Sequence, residues 1–266
     1  FERAYVEALV QRLPALAPAE RFHLWAHPEA AAATSLPNVS RRVISAPADG
    51  LRTLVWPTLL DSLRPEDVVH FPYSLLGRGI PCASVVTIHD LMWLEQPAWV
   101  DSRRLLRLVR QPFYQAGMRQ AIAAATRIIT VSQATADRIR AVAPGAASRI
   151  RVTPNAVSTD FRQAEDLEAA ARFAEVIVGS AAPYFLVVGK NEPYKAHELA
   201  IRAFAAAAAA GEQLVLVQRT KRGHGLHRLV QELGIADRVR WLPGLSRAEL
   251  VTLLQAARAL IQPSLS

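Results

Sequence analysis

Several strand ends in this sequence carry residues able to bind an anion or a polar ligand. "ASVVTIHDLMWLE" (83–95) closes an apolar, β-branched run on His89 and Asp90. "TVSQAT" sets Ser132, and "VTPNAV" sets Asn155, just after two more such runs. "VVGKNEPYK" (187–195) brings Gly189, Lys190 and Lys195 after another, and "VLVQRTKRGHG" (215–225) brings Arg219, Lys221, Arg222 and two glycines after the next. Backbone N–H groups of a glycine turn, a helix N-terminus and one or two cations are what holds a diphosphate. In open α/β sheets ligands sit outside the carboxyl ends of strands, where a His–Asp pair can meet one. Each residue also has a local explanation. Ser132 can cap the helix that follows. Asn155 after Pro154 suits a turn. Asp90 can cap the next turn, with His89 a satisfied core histidine. Gly189 can be a tight turn, and single lysines and arginines are usually solvated. What favours a site is that these residue types recur at successive strand tips.

Strands alternating with helices must position them. After an opening amphipathic helix, "RFHLWAH" (21–27) and "VSRRVIS" (39–45) read as strands, 51–64 as a helix and "DVVHFPY" (67–73) as a strand. The 83–90 strand follows, then a helix over about 101–127, a strand at 127–132, a helix at 133–143 and a strand at 149–157. A second series runs through strands at 184–190, 213–219, 238–244 and 257–263, with helices at 195–211, 224–234 and 246–257. That pattern is a parallel sheet covered on both faces, built twice. The expected division is an N-terminal Rossmann-like domain over 1–165, a connecting segment over 166–180 and a second Rossmann-like domain over 181–266.

Composition narrows the class. The 266 residues are 51% hydrophobic and 20% charged, with one cysteine and a net charge of +8. One cysteine excludes a disulfide framework and suits a reducing, cytoplasmic setting. No run of about eighteen apolar residues reads as a spanning helix; "AFAAAAAAG" (203–211) is too short and suits a helix packed closely on a sheet. The positive charge favours an anionic partner. Nucleic acid is not the expected one, because the basic residues are not interleaved with aromatics along one face. No G-x-G-x-x-G follows a strand, which argues against a dinucleotide-dependent dehydrogenase. His23 and His27 share a strand face without converging, so no metal site is expected. The chain opens inside a helix and stops at "ARALIQPSLS", and both ends read as cuts through a larger α/β protein.

Six blocks together carry a resemblance: "VVTIHDLMWLEQP", "IITVSQATADRI", "IRVTPNAV", "YFLVVGKNEPYK", "LVLVQRTKRG" and "RVRWLPGLSRAELVTLLQAARALIQPSLS". In order and at ordinary spacing from 83 to 266, they resemble the retaining GT-B glycosyltransferases, the large group with bacterial mannosyl- and other hexosyltransferases. Residues 1–82 fit the N-terminal domain of that family more loosely. The resemblance implies two Rossmann-like domains facing each other across a cleft, and transfer of a hexosyl group from a nucleotide sugar with retention at the anomeric carbon, in polysaccharide or glycolipid synthesis. It implies no metal and no cofactor, a UDP- or GDP-linked donor, and a saccharide or lipid-linked acceptor. His89 matches the family histidine near the donor sugar and Lys195 the lysine on the donor diphosphate, with Gly189 and Arg219 beside it. Leu245 matches the residue packed on the nucleotide base. Asp90, Ser132 and Asn155 fall on the acceptor side of the implied cleft. The family text at 194–196 is usually Arg-Lys-Asn, here Tyr194-Lys195-Ala196, and Gln218-Arg219 stand where glycine is frequent. "PSLS" would run on into a Glu-Gly-Phe-Gly motif, and the family's first strand and its glycine-rich loop are also not found here. A sugar-nucleotide epimerase on the same scaffold, or a non-catalytic nucleotide-sugar-binding protein, remains open on these residues.

In "DSRRLLRLVRQPFYQ" (101–115), Arg103, Arg104, Arg107 and Arg110 recur at helical spacing opposite Leu105, Leu108 and Val109. Leucines packed on the domain with arginines in water is the expected arrangement. A basic amphipathic helix lying on the anionic inner face of a membrane is the other.

Overall fold

The computed structural model describes residues 2–26, 36–43, 63–100, 104–218 and 225–265. The chain separates into two compact units between Asn155 and Ala156, a short piece starting at Ala98 grouping with the second. The expected helix over 51–64 lies almost wholly outside the described residues.

The first unit begins with α1 (Glu2–Leu16), then β1 (Phe22–Ala26) and β2 (Val39–Val43), which form a parallel pair. Asn38 ties this part together, its Nδ2 donating to the carbonyls of Pro14, Ala17 and Glu20 at 3.0–3.3 Å. β3 (Val68–Phe71), β4 (Ala83–Ile88), α2 (Met92–Glu95), α4 (Arg104–Ala124), β5 (Arg127–Thr130), α5 (Gln133–Val142) and β6 (Ile150–Val152) follow, with α3 (Pro97–Val100), most of which groups with the second unit, between α2 and α4 in the chain. The sheet order is β3-β4-β5-β6, parallel throughout. Val86, Ile88 and Ile128 meet Met118, Ala121 and Ile122 of α4 and Ala136 and Ile139 of α5 in one core. Unbroken apolar runs are what a strand buried on both faces requires.

The second unit comprises α6 (Leu167–Val178), β7 (Tyr184–Val188), α7 (His197–Ala207), β8 (Gln213–Val217), α8 (Gly225–Glu232), β9 (Val239–Leu242), α9 (Arg247–Ala256) and β10 (Ala259–Leu260). Alternation sorts its strands cleanly. Val187, Leu214 and Leu216 face Ala200, Ile201 and Phe204 of α7 and Leu226 and Leu229 of α8. Leu186, Val215 and Val217 face Ala174 and Val178 of α6 and Leu253 of α9. Tyr184 Oη donates to the Leu253 carbonyl at 2.7 Å, and burial pushes this phenol up to about 12. The order β10-β7-β8-β9 reverses direction beside β7: the chain winds outward to β9, then returns to the other side of β7. Such a reversal opens a crevice at the strand tips.

Several elements differ from the sequence expectation, among them the strand expected over 149–157, which is only Ile150–Val152. Residues 166–180, read as a connecting segment, hold a well-formed helix of the second unit. Asp166 caps α6 by accepting from Ala169 N at 2.9 Å, and Gly179 closes it at φ 75°. The helix expected over 195–211 is shorter, starting at His197 and ending at Ala207. Its alanines run on into a turn, because Glu212 accepts from Ala209 N at 2.7 Å and Arg238 donates to the carbonyls of Ala208, Ala209 and Glu212.

In α4, Leu105 and Leu108 do not pack inward. Leu105, Leu108 and Val109 are 81%, 65% and 75% exposed, while Arg107 and Arg110 are half-buried. The Arg110 guanidinium lies 5.7 Å from the centroid of Tyr114, whose ring stacks on Trp93 at 4.4 Å. This aromatic shelf takes up an arginine stem. The contact of α4 with the core comes instead from Met118, Ala121 and Ile122, beyond Pro112.

Candidate functional site

In the first unit the polar groups converge at the tip of β4. His89 is 8% exposed, and its Nε2 donates to the Pro72 carbonyl at 3.1 Å, since a carbonyl can only accept. The Tyr5 ring of α1 meets the imidazole edge-on, centroids 5.0 Å apart. Thr135 Oγ1 donates to the His89 carbonyl at 3.3 Å, which fastens the first turn of α5 to the end of β4. Ser132 is the N-cap of α5, accepting from Thr135 N at 3.1 Å. Asp90 Oδ1 accepts from Met92 N at 3.0 Å and so shapes the turn after β4. Asn155 is exposed, after β6. His89, Asp90 and Ser132 are thus brought together at adjacent strand tips, with Ser132 capping α5 and Asp90 shaping the turn after β4.

Two residues behind His89 escaped the sequence reading. His70 Nε2 lies 2.8 Å from Thr87 Oγ1, and Tyr5 Oη lies 3.1 Å from the same oxygen. Burial, and secondarily the nearby His89, pull His70 down to about 4. It is therefore neutral at neutral pH and adds no charge beside His89. The only local signal for His70 was a histidine inside an apolar strand. Tyr5 gave none, because its contact spans 82 positions of sequence.

In the second unit the chain turns sharply after β7. Gly189 has φ 135°, a backbone region that only glycine enters readily, and its N–H donates to the Val217 carbonyl of β8 at 3.1 Å. Pro193–Lys195 form one turn of 3₁₀ helix before α7. Lys195 is half-buried, with Nζ 4.9 Å from the centroid of Tyr194. The Tyr194 carbonyl accepts from Leu265 N at 2.8 Å, which links this turn to the segment after β10. Lys195 therefore sits beside the reversal in strand order. Ala196 next to it holds φ 48°, a left-handed conformation costing a non-glycine residue roughly 1 kcal/mol. Asparagine, usual at this place in the resembled family, tolerates it better.

The other expected positions fall separately. Leu245 is half-buried on the apolar face formed by Val188, Leu242 and Leu253, just before the Ser246–Glu249 capping box of α9. Lys190 is exposed. Arg219, Lys221 and Arg222 lie outside the described residues, as does His27. Among the described residues no cluster of three or more histidine, cysteine or acidic groups could hold a metal ion. Chemically, the Lys195 turn offers a cation and a glycine bend suited to an anion, whereas the β4 tip offers a held imidazole suited to orienting a hydroxyl.

Residues 4–161 match the profile of Glycosyltransferase Family 4, and residues 172–266 match Glycosyl transferases group 1. The D-inositol 3-phosphate glycosyltransferase of Mycobacterium leprae (strain Br4923) is 29% identical over 255 residues, covering 85% of this chain and 57% of that protein. That of Mycobacterium tuberculosis (strain ATCC 25177 / H37Ra) is 28% identical over 253 residues, covering 85% and 51%. The chain thus spans about half the length of the curated relatives it matches. Among solved structures, a glycosyltransferase from Rickettsia africae ESF-5 superposes with a TM-score of 0.63 at 12% identity, covering 100% of this chain and 69% of that one. Anabaena Alr3699/HepE, crystallised with UDP and glucose, gives 0.59 at 17% identity, covering 86% and 61%. These two show a shared fold. With one profile covering more than half of its length and a second following in order, the chain belongs to Glycosyltransferase Family 4, within the GT-B glycosyltransferases.

Proposed function

We propose that this chain carries the donor and acceptor folds of an enzyme that moves a hexosyl group from a UDP- or GDP-sugar to a saccharide or lipid-linked acceptor, with retention at the anomeric carbon. The observation that supports it most is Lys195, held on a glycine-led turn beside the strand-order reversal of the second unit. In this reading Lys195 and Arg219 neutralise charge growing on the leaving diphosphate. His89, tied to Pro72 and flanked by Tyr5, orients the sugar through a hydroxyl and makes no covalent bond. Leu245 packs against the base, and Asp90, Ser132 and Asn155 line the acceptor side. A net charge of +8 suits an anionic donor, and also a phosphorylated acceptor such as the one in the names of the mycobacterial relatives. The test is transfer from UDP- and GDP-hexoses to a panel of saccharide, inositol phosphate and lipid-linked acceptors, with the product anomer read by NMR. The α-linked donor is expected to yield an α-linked product. A β-linked product would overturn retention, and epimerised donor without any acceptor would favour the epimerase.

A membrane surface belongs to the same proposal. Leu105, Leu108 and Val109 form an exposed apolar strip on α4, with Arg107 and Arg110 on the same helix. An exposed apolar strip can enter a leaflet, and the half-buried Arg107 and Arg110 across the helix add charge near an anionic surface, at most about 1 kcal/mol for each cation. No described helix is long and apolar enough to cross a membrane. The association proposed here is peripheral, at a cytoplasmic face. The protein is expected to sediment with vesicles containing anionic lipid at low salt, and to be released by raised salt. Leu105→Ser with Leu108→Ser should abolish sedimentation. Unchanged sedimentation of that double variant would remove α4 from the contact.

A further inference from the structure

Directly behind Lys195 the chain buries a histidine. His197, the first residue of α7, is 1% exposed, and its Nδ1 lies 2.6 Å from Gln218 Nε2. The amide NH₂ of Gln218 can only donate, so Nδ1 is the accepting nitrogen and the neutral ring carries its proton on Nε2. Burial, then the charge of Lys195, hold His197 below the usual imidazole range. Its Nε2 is buried with no hydrogen-bond partner among the described residues. A buried N–H left so costs on the order of 1–3 kcal/mol. An apolar side chain would avoid that cost, so stability alone gives no reason for a histidine here. What the histidine adds is its link to Gln218.

That link spans two strand tips. Gln218 follows β8 directly, and its own N–H donates to the Leu242 carbonyl at the end of β9 at 3.0 Å. His197 follows Ala196, whose left-handed backbone would relax toward the ordinary helical region if nothing held it. A relaxation there would redirect Lys195, its immediate neighbour. Backbone bonds also hold the turn: Gly189 N to Val217 O, Leu265 N to Tyr194 O and, within it, Lys195 N to Glu192 O and Ala196 N to Pro193 O. The His197–Gln218 bond joins two side chains, so substitution can remove it while these backbone bonds remain.

We propose that His197 and Gln218 are a positioning pair that fixes the backbone under Lys195 and thereby aims its ammonium group at the donor diphosphate. The inference rests on the donor-site reading of Lys195 given above. Misplacing a binding group by about 1 Å can cost tenfold or more. The experiment is calorimetric titration of the protein with UDP and with GDP, alongside thermal unfolding of each variant. His197→Leu, which removes the acceptor, should weaken the bound nucleotide by about tenfold. His197→Asn, whose Oδ1 can stand where Nδ1 stood, should bind within about threefold of the wild type. Where His197→Leu fails to fold, Gln218→Met removes the bond from its other end and should give the same loss. In a Lys195→Ala background, His197→Leu or Gln218→Met should cost nothing further, because the pair acts through Lys195.

Wild-type affinity in His197→Leu and Gln218→Met, or an equal loss with and without Lys195, would overturn the positioning role. So would a loss in His197→Asn as large as in His197→Leu. Unchanged affinity in Lys195→Ala alone, or no binding of either nucleotide to the wild type, would instead overturn the donor-site reading, and the inference with it.

Discussion

Replacing Lys195 with alanine is expected to lower kcat/KM for the nucleotide-sugar donor by at least about a hundredfold, with the fold intact. A fixed cation beside developing charge stabilises a transition state by roughly 3–4 kcal/mol, because it needs no reorganisation when the bond breaks. Lys195 sits on a turn pinned by backbone bonds to β8 and to the segment after β10, which is the rigidity such a role requires. Its removal leaves those bonds in place. Its ammonium group packs over the Tyr194 ring, a contact worth only about 0.5–1 kcal/mol at a partly exposed site. The melting temperature of Lys195→Ala should therefore fall by no more than about 5 °C. Lys195→Arg keeps the charge but spreads it over a planar group of different reach, and should recover only part of the rate. Steady-state kinetics with an active donor, paired with thermal unfolding, decides the matter. Wild-type turnover in Lys195→Ala would remove this lysine from the chemistry.

The second large effect is expected at His89. His89→Ala should lower kcat by on the order of ten- to a hundredfold while nucleoside diphosphate binding stays within about twofold, because the histidine is assigned to the sugar and not to the diphosphate. Alanine also leaves the Pro72 carbonyl without its donor and the Tyr5 ring without its neighbour, which destabilises the unit by roughly 1–3 kcal/mol. His89→Gln separates the two consequences. Its Nε2 can still reach the Pro72 carbonyl and preserve the fold, but the flat imidazole is gone. Kinetics on both variants, with calorimetry of UDP or GDP binding, reads the difference. Were His89→Gln to retain full turnover, His89 would be a structural group. Were either variant to lose turnover and nucleotide affinity equally, the assignment to the sugar would fail.

The parallel α/β class was written into local pattern. β8 is buried at all five positions, as the run "QLVLV" demands of a central parallel strand, and Ser132 caps α5 where an N-cap was expected. Gly189 and Lys195 stood out for the same reason, since a glycine and a cation after a buried strand are legible one turn at a time. What local pattern did not carry was everything that depends on which element lies beside which. The strand order β10-β7-β8-β9, which puts the Lys195 turn at a reversal, follows from how whole helices cover the sheet. The Tyr5, Thr87 and His70 contacts behind His89, and the His197–Gln218 bond behind Lys195, join residues 17 to 82 positions apart. The exposed leucines of α4 follow the same rule. Periodicity gave their helix two faces, but the Trp93–Tyr114 shelf decided which face turned inward. Hydrophobic spacing fixes a residue's face on its own element, because that depends on neighbours three or four positions away. Its partner on another element depends on long-range packing, and only the folded chain supplies that.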